Sequence, residues 1–187
     1  MKTAQIMLSN RHVHLNRETL DILFGKGYEL TVKKPLGYPI FAANETITLQ
    51  GPRGRIEGVR ILGPLRPYNQ AEILRCDNYV LGIHAPVKIS GSSGLAPLTF
   101  IGPAGNLDLE SAAVVAKRHI HITETKAAEY GLENKQIVKV RITGDRALVF
   151  DEVMIVFTDI DEPTLHLDTE EGNAANVKNL DIAEIVA

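Results

Sequence analysis

The sequence has little cysteine and no long apolar segment, and both absences narrow the class of protein. Its only cysteine, Cys76, excludes an intramolecular disulfide framework and fits a reducing compartment. No apolar run approaches the roughly 20 residues that span a bilayer, and the start of the chain shows no signal peptide. Low-complexity segments and long linkers are also absent. We therefore expect a globular protein that acts away from membranes.

Charge and length limit the protein further. The chain has 187 residues, which suffices for one large domain or two small ones. It is 44% hydrophobic and carries a net charge of −3, so it is not a general nucleic-acid binder. It has no Gly-x-Ser-x-Gly nucleophile elbow and no phosphate-cradling glycine loop. The composition thus leaves enzymes and binding modules of other kinds open.

A short histidine motif occurs twice. Residues 9–15 read SNRHVHL, and residues 116–122 read AKRHIHI. The alternation of histidine with aliphatic residues predicts strands, in which residues i and i+2 share a face about 7 Å apart. Each pair could bind a metal ion, orient an anion or lie on a hydrated surface. Two copies, each preceded by arginine, favour the metal or anion interpretation.

The repeat extends beyond the histidines. Each motif is followed by a cap residue, Asn16 or Thr123, and by a short amphipathic helix that ends near Gly25 or Gly131. Further strands and Gly-Pro-x-Gly turns then recur. The pattern predicts a mostly β protein built from a duplicated unit, either two barrels or two sandwiches. We place the halves at residues 1–90 and 91–187, with the division in the segment HAPVKISGSSGLAP.

Four other residues are candidates to join the histidine pairs. A catalytic zinc ion typically takes three protein ligands, so each pair needs one more. His166 and Glu72 both lie in alternating strand patterns, whereas His84 precedes Ala-Pro and has the character of a loop residue. Arg66 stands between two prolines in GPLRP, and its guanidinium suits bidentate binding of phosphate.

Four motifs together resemble one enzyme family. SNRHVHL, GPLRPYNQAEI, AKRHIHI and LHLDTEEGNAA occur in the order and at the spacings of the phosphate propanoyltransferases, the phosphotransacylases of propanediol-utilisation type. The resemblance covers about Gln5 to Asn176. It implies two tandem duplicated small β-barrels with short capping helices and the active site in the cleft between them. It also implies interconversion of acyl-CoA plus inorganic phosphate with acyl phosphate plus coenzyme A.

The resemblance also implies a role for each candidate residue. Two Zn²⁺ ions per chain are expected, together with coenzyme A as substrate or product. The implied ligands of the first ion are His12, His14 and Glu72, and those of the second are His119, His121 and His166. Arg66 matches the phosphate-binding arginine, and Ser9 and Gln70 match substrate-binding residues. The physical mechanism that we favour is direct attack of phosphate on the thioester.

The sequence leaves two rival functions open and allows two locations for the protein. The rivals are a dinuclear zinc hydrolase of thioesters and a non-catalytic module held together by metal. About eight residues precede the first motif, which favours a cytoplasmic enzyme over one in the lumen of a bacterial microcompartment. A homodimer and an association with microcompartments are both compatible with the resemblance.

Overall fold

The computed structural model describes residues 1–37, 39–159 and 162–186. None of the described helices is both long and apolar enough to cross a membrane. The chain divides into two compact units, which we name by their position in the sequence. The central unit is Arg11–Ala116, and the terminal unit joins Met1–Asn10 to Lys117–Ala187.

Strands dominate both units. In chain order the described elements are β1 (Thr3–Ser9), β2 (His12–His14), α1 (Arg17–Phe24), β3 (Val32–Gly37), β4 (Ile40–Gln50), β5 (Arg55–Gly63), β6 (Gln70–Glu72), α2 (Asp77–Leu81), β7 (Val87–Lys88), β8 (Ala96–Ile101), β9 (Asn106–Ala116), β10 (His119–Ile122), α3 (Glu124–Tyr130), β11 (Ile137–Ile142), β12 (Leu148–Phe157), β13 (Thr164–Asp168), α4 (Thr169–Ala175) and β14 (Ile182–Val186). The expectation of a mostly β protein with short helices is confirmed.

Each unit contains a closed barrel of six strands. In the terminal unit the strand order is β1-β13-β10-β12-β11-β14, and β14 pairs back onto β1. In the central unit the order is β9-β6-β2-β5-β4-β8, and β8 pairs back onto β9. Strands β3 and β7 add to this second barrel, β3 on β4 and β7 on β9. Closure leaves few unpaired strand edges in either barrel.

The two barrels have the same sequence of parallel and antiparallel pairs. In both, the histidine strand is parallel to one neighbour and antiparallel to the other: β2 lies between β5 and β6, and β10 between β12 and β13. The first strands, β9 and β1, each pair in parallel with the next strand of the ring, β6 and β13. This agreement is consistent with a duplicated unit, although duplication itself stays a prediction.

The compact units do not coincide with the predicted halves of the chain. Strand β1 directly precedes β2 in sequence, yet it pairs with β13 and β14 of the terminal unit. Strand β9 directly precedes β10, yet it pairs with β6 and β8 of the central unit. The division into residues 1–90 and 91–187 therefore stays a prediction about the sequence repeat, as does the cleft predicted to hold the active site.

Alternating burial along the strands builds one apolar core in each barrel. In the central unit Val13, Leu49, Ile61 and Phe100 are fully buried. The core of the terminal unit is rich in buried isoleucine and leucine and includes Ile6, Ile120, Ile122, Ile155 and Leu165. Burial of each such side chain stabilises the fold by about 1.5–3 kcal/mol. Each barrel therefore has its own source of stability.

Helices α1 and α3 begin at side-chain caps, as the sequence predicts. The side chain of Asn16 accepts a hydrogen bond from the backbone N–H of Thr19, and that of Thr123 accepts one from Lys126. Gly131 ends α3 in the left-handed conformation, with φ 59° and ψ 44°. Gly25 ends α1 differently, with φ 104° and ψ 148°, so the expected left-handed helical cap is absent there.

The two Gly-Pro-x-Gly turns both lie in the central unit. A Cβ atom on Gly51 would overlap the carbonyl oxygen of Leu81 at the end of α2, and one on Gly102 would overlap that of Leu23 near the end of α1. Glycine is required because each turn packs closely against a helix end. The strand order relates the β4–β5 hairpin to β11–β12 of the terminal unit, so the second Gly-Pro-x-Gly turn is not its counterpart.

Two candidate metal centres

The first candidate centre lies on two neighbouring strands of the central unit. His12 pairs with Glu72 across the antiparallel strands β2 and β6, and Val13 between the histidines points into the core. His12 and His14 therefore project to one face, where their ring centroids lie 5.1 Å apart. One ligand atom from each of His12, His14 and Glu72 lies within 4.8 Å of the others. We call these residues the central triad.

The distances in the central triad suit a zinc ion. His12 Nε2 lies 3.4 Å from Glu72 Oε2, and His14 Nε2 lies 3.8 Å from Glu72 Oε1. Tetrahedral zinc with bonds of about 2.0–2.2 Å to nitrogen and oxygen separates its ligand atoms by about 3.4 Å. Two imidazoles and one carboxylate are also a known ligand set for catalytic zinc. The donor atoms thus fit the ion that the sequence predicts.

Burial keeps His14 of the central triad in the neutral form that binds metal. His12 and His14 are both buried. The pKa of His14 is lowered to about 4, mainly by burial; the charges of His12 and Arg66 act in the same direction, and Glu72 opposes them. The Leu62 carbonyl also acts against this shift, but His14 Nδ1 makes no hydrogen bond of normal geometry with the described residues. A neutral imidazole is a metal ligand at pH 7 without first losing a proton.

The second candidate centre lies at the equivalent strands of the terminal unit. His119 pairs with His166 across β10 and β13. The ring centroids are 4.7 Å apart for His119 and His121, 4.9 Å for His119 and His166, and 4.5 Å for His121 and His166. One nitrogen from each ring lies within 4.8 Å of the others. We call these three histidines the terminal triad.

Hydrogen bonding of His119 and burial of His121 also favour metal binding at the terminal triad. His119 Nδ1 lies 2.8 Å from the Lys117 carbonyl oxygen, which can only accept a hydrogen bond. The proton therefore sits on Nδ1 and leaves Nε2 as the ligand atom, the arrangement usual for metal-binding histidines. Burial lowers the pKa of His121 to about 4, with a further contribution from His119. Its Nδ1 atom is buried and has no hydrogen-bond partner among the described residues.

Gln70 forms the polar surroundings of the central triad. Its Nε2 atom donates to Glu72 Oε1 at 3.0 Å and to Ser90 Oγ at 2.9 Å, while its Oε1 accepts from the Gly91 N–H at 2.9 Å. The side chain therefore orients the carboxylate and connects it to the loop at residues 90 and 91. Its predicted contact with substrate stays a prediction. Ser90 was missed by sequence reasoning, although the Ser-Gly turn that follows Ile89 was a usable signal.

Arg66 lies close to the central triad. Its backbone N–H donates to the Leu15 carbonyl at 2.9 Å, just beyond the end of the His12–His14 strand. Its charge contributes to the lowered pKa of His14, which places the guanidinium within electrostatic reach of that ring. Its Nε atom is buried and makes no hydrogen bond to the described residues. A half-buried guanidinium with donors to spare suits an anionic ligand.

Two further residues singled out in the sequence, Ser9 and His84, are not members of either triad. Ser9 is the last residue of β1, opposite Asp168 on β13, so it belongs to the unit of the terminal triad. His84 is an exposed loop residue, which confirms the interpretation of its sequence context. Sequence reasoning also overlooked the carboxylates that pair with the arginine at the start of each histidine motif.

Comparison with known proteins agrees with this arrangement. The phosphate propanoyltransferase family matches residues 5–178. A phosphate propanoyltransferase of Thermotoga maritima is 48% identical over 182 residues, which cover 96% of this chain and 87% of the relative. One from Rhodopseudomonas palustris is 43% identical over 180 residues and 95% and 80% of the two chains. One from Clostridioides difficile is 39% identical over 184 residues and 97% and 88%.

Two barrels that each carry a candidate metal triad, together with these relatives, define a transferase of the phosphate acyltransferase class. More specifically, the chain belongs to the phosphate propanoyltransferase family.

Proposed function

We propose that the protein interconverts a short-chain acyl-CoA, propionyl-CoA or acetyl-CoA, and phosphate with the acyl phosphate and coenzyme A. One zinc ion at each triad would serve this reaction. The observation that carries the proposal is the arrangement of the central triad, in which two buried imidazoles, an oriented carboxylate and Arg66 occur together. Family membership supports the reaction class.

Zinc, when bound, supplies a Lewis acid that polarises a carbonyl or stabilises a departing thiolate. In the reaction a phosphate oxygen attacks the thioester carbonyl carbon, a C–O bond forms, the C–S bond breaks, and its electron pair leaves with sulfur. Phosphate is already an anion at neutral pH, so its attack needs no strong general base. The protein then has to bind and align the two anionic substrates.

Arg66 is the group that we assign to phosphate. Its planar guanidinium can offer two parallel N–H donors to two phosphate oxygens, and its position is restrained by the bond to Leu15 and by the flanking prolines. A fixed cation stabilises charge in the transition state more than a mobile one, because it does not have to reorganise. Ser9 and Gln70 remain the proposed substrate-binding residues beside the triads.

A covalent acyl-enzyme is not needed for this chemistry. Cys76 is exposed, and its sulfur lies 4.0 Å from the Asp77 carboxylate, which offers no positive charge to support a thiolate nucleophile. The chain also has no Gly-x-Ser-x-Gly elbow. Direct attack by phosphate is therefore the mechanism that we favour.

The proposal is tested by measuring thiol release from acetyl-, propionyl- and butyryl-CoA with and without phosphate. We expect release that depends on phosphate, with acyl phosphate detected as its hydroxamate. Release at the same rate without phosphate, with free acid as product, would identify a zinc hydrolase instead. No release from any of the three thioesters would favour a non-catalytic module.

A further inference from the structure

In each histidine motif, the arginine directly before the first histidine forms an ion pair. Arg11 Nε donates to Asp77 Oδ2 at 2.8 Å and Nη2 donates to Asp77 Oδ1 at 2.9 Å. Arg118 Nε lies 2.9 Å from Glu171 Oε1. The first pair is bidentate, the geometry in which a guanidinium and a carboxylate interact most strongly. We call the two pairs the arginine clamps.

The clamps occupy equivalent positions in the two units. Asp77 follows Glu72 by five residues, and Glu171 follows His166 by the same number. Each arginine directly precedes the first histidine of its triad. Each clamp therefore connects the strand that carries two ligands to the segment that follows the third ligand.

Both carboxylates are themselves held in place. The side chain of Asp77 is only 2% exposed and also accepts the Leu74 N–H at 2.9 Å. Glu171 accepts the Asp168 N–H at 3.2 Å in the capping box at the start of α4. The clamps thus connect the arginines to fixed points rather than to mobile surface groups.

Short strands explain why the ligands need such support. Strand β2 has three residues and β10 has four, and the first residue of each is a histidine of the triad. The end of a short strand opens locally more readily than its middle. An ion pair one residue before the histidine restrains that end directly, and its partner sits just beyond the strand that carries the third ligand.

We propose that Arg11 and Arg118 are positioning residues, which hold the central triad and the terminal triad, respectively, in the geometry that binds zinc. The inference rests on the proposed function only in taking the triads as zinc sites. Groups that do not bind the metal but hold its ligands in place are typically important for affinity, and their mutation lowers metal affinity about 10- to 100-fold. Because the two clamps lie in different units, each should act on one ion.

The test is a pair of variants, Arg11→Gln and Arg118→Gln, stripped of metal and titrated with zinc against a chromophoric chelator at pH 8. We expect wild type to bind two ions. Each variant should bind one of them about 10- to 100-fold more weakly and the other with wild-type affinity. Arg55→Gln and Arg141→Gln are matched controls, because these arginines form exposed ion pairs with Glu57 and Glu184 in the same two units. Both controls should retain two ions with wild-type affinity.

Further measurements separate positioning from general stability. The melting of the metal-free proteins by circular dichroism gives the cost to the fold, and the absorption bands of bound Co²⁺ report ligand geometry directly. Arg11→Lys should recover part of the affinity, since an ammonium keeps the charge but not the two parallel donors. If Arg11→Gln does not fold, Arg11→Lys and Asp77→Asn take its place.

The outcomes are distinct for the two proposals. Wild-type zinc affinity and an unchanged Co²⁺ spectrum in folded clamp variants would overturn the positioning role and leave the zinc sites intact. Failure of wild type itself to bind zinc would overturn the metal assignment in the proposed function.

Discussion

The two triads share their strand pairing but not their charge. In each, two histidines on a short strand face a third residue on the antiparallel neighbour, which is Glu72 in one unit and His166 in the other. A divalent ion would therefore keep one more positive charge among three neutral imidazoles than beside a carboxylate. Arg66 lies next to the triad with the carboxylate. One scaffold thus carries two electrostatically different candidate centres, and Arg66 supplies positive charge where Glu72 removes it.

The largest expected effect comes from removing one ligand of either triad. His14→Ala should lose the central ion, and His121→Ala should lose the terminal ion. Each should reduce the rate by about 1000-fold or more, since metal coordination supplies several kcal/mol of transition-state stabilisation. Elemental analysis should show one zinc per chain in each variant. Loss of the same ion in both variants would contradict the assignment of one triad to each ion.

Arg66→Ala should have the next largest effect. The change should retain both zinc ions and the fold, because Arg66 is not a ligand. We expect a loss of about 2–4 kcal/mol of transition-state stabilisation, or about 30- to 1000-fold in rate. The loss should appear mainly in the dependence on phosphate concentration, and Arg66→Lys should recover only part of it. A near-wild-type rate at low phosphate would show that another cation binds this substrate.

A smaller effect, on zinc affinity, should distinguish Gln70 from Thr164, the residues that pair with the second histidine of each triad. Gln70 stands opposite His14 and donates to Glu72, whereas Thr164 stands opposite His121 and donates to the Glu162 backbone carbonyl at 2.9 Å. Gln70→Ala should thus lower the affinity of the central triad for zinc by about 10-fold, while Thr164→Val should leave the affinity of the terminal triad unchanged. Zinc titration measures both. Equal effects of the two substitutions would show that Gln70 does not orient Glu72.

The smallest effect is a pH dependence of stability in the terminal unit. Burial raises the pKa of Glu171 to about 7, although Arg118 acts against it. Between about pH 4.5 and 7 the folded protein then binds more protons at this residue than the unfolded chain does. The contribution of Glu171 to the free energy of unfolding therefore falls as pH rises through this window.

Glu171→Gln removes this contribution. The melting temperature of the metal-free variant, relative to that of wild type, should rise between pH 4.5 and 7. Glu184→Gln, at a more exposed ion pair with Arg141, serves as the control. A constant difference between variant and wild type across this range would show that Glu171 titrates normally.

Local patterns predicted the ligand strands, whereas partners distant in sequence could not be derived from them. A period of two residues suffices to place His12 with His14 on one face. The pairing of His12 with Glu72 depends on register across about sixty residues, so local pattern made Glu72 a candidate, and only the family motifs assigned it to this pair. Equally, no local signal shows that β1 pairs with β13, which is why the predicted halves differ from the compact units. The clamps escaped notice because their partners are distant in sequence, with Arg11 and Asp77 separated by 66 residues, so no local period joins them.

The path of β1 has a consequence for folding during synthesis. This strand leaves the ribosome before β2, yet its partners β13 and β14 follow only after the whole central unit has been made. The central unit is continuous in sequence and can fold as soon as it has emerged. Until then the backbone groups of β1 lack their strand partners and could pair with strands of other chains. The terminal barrel, and with it the position of His166 beside Met7, is then completed last.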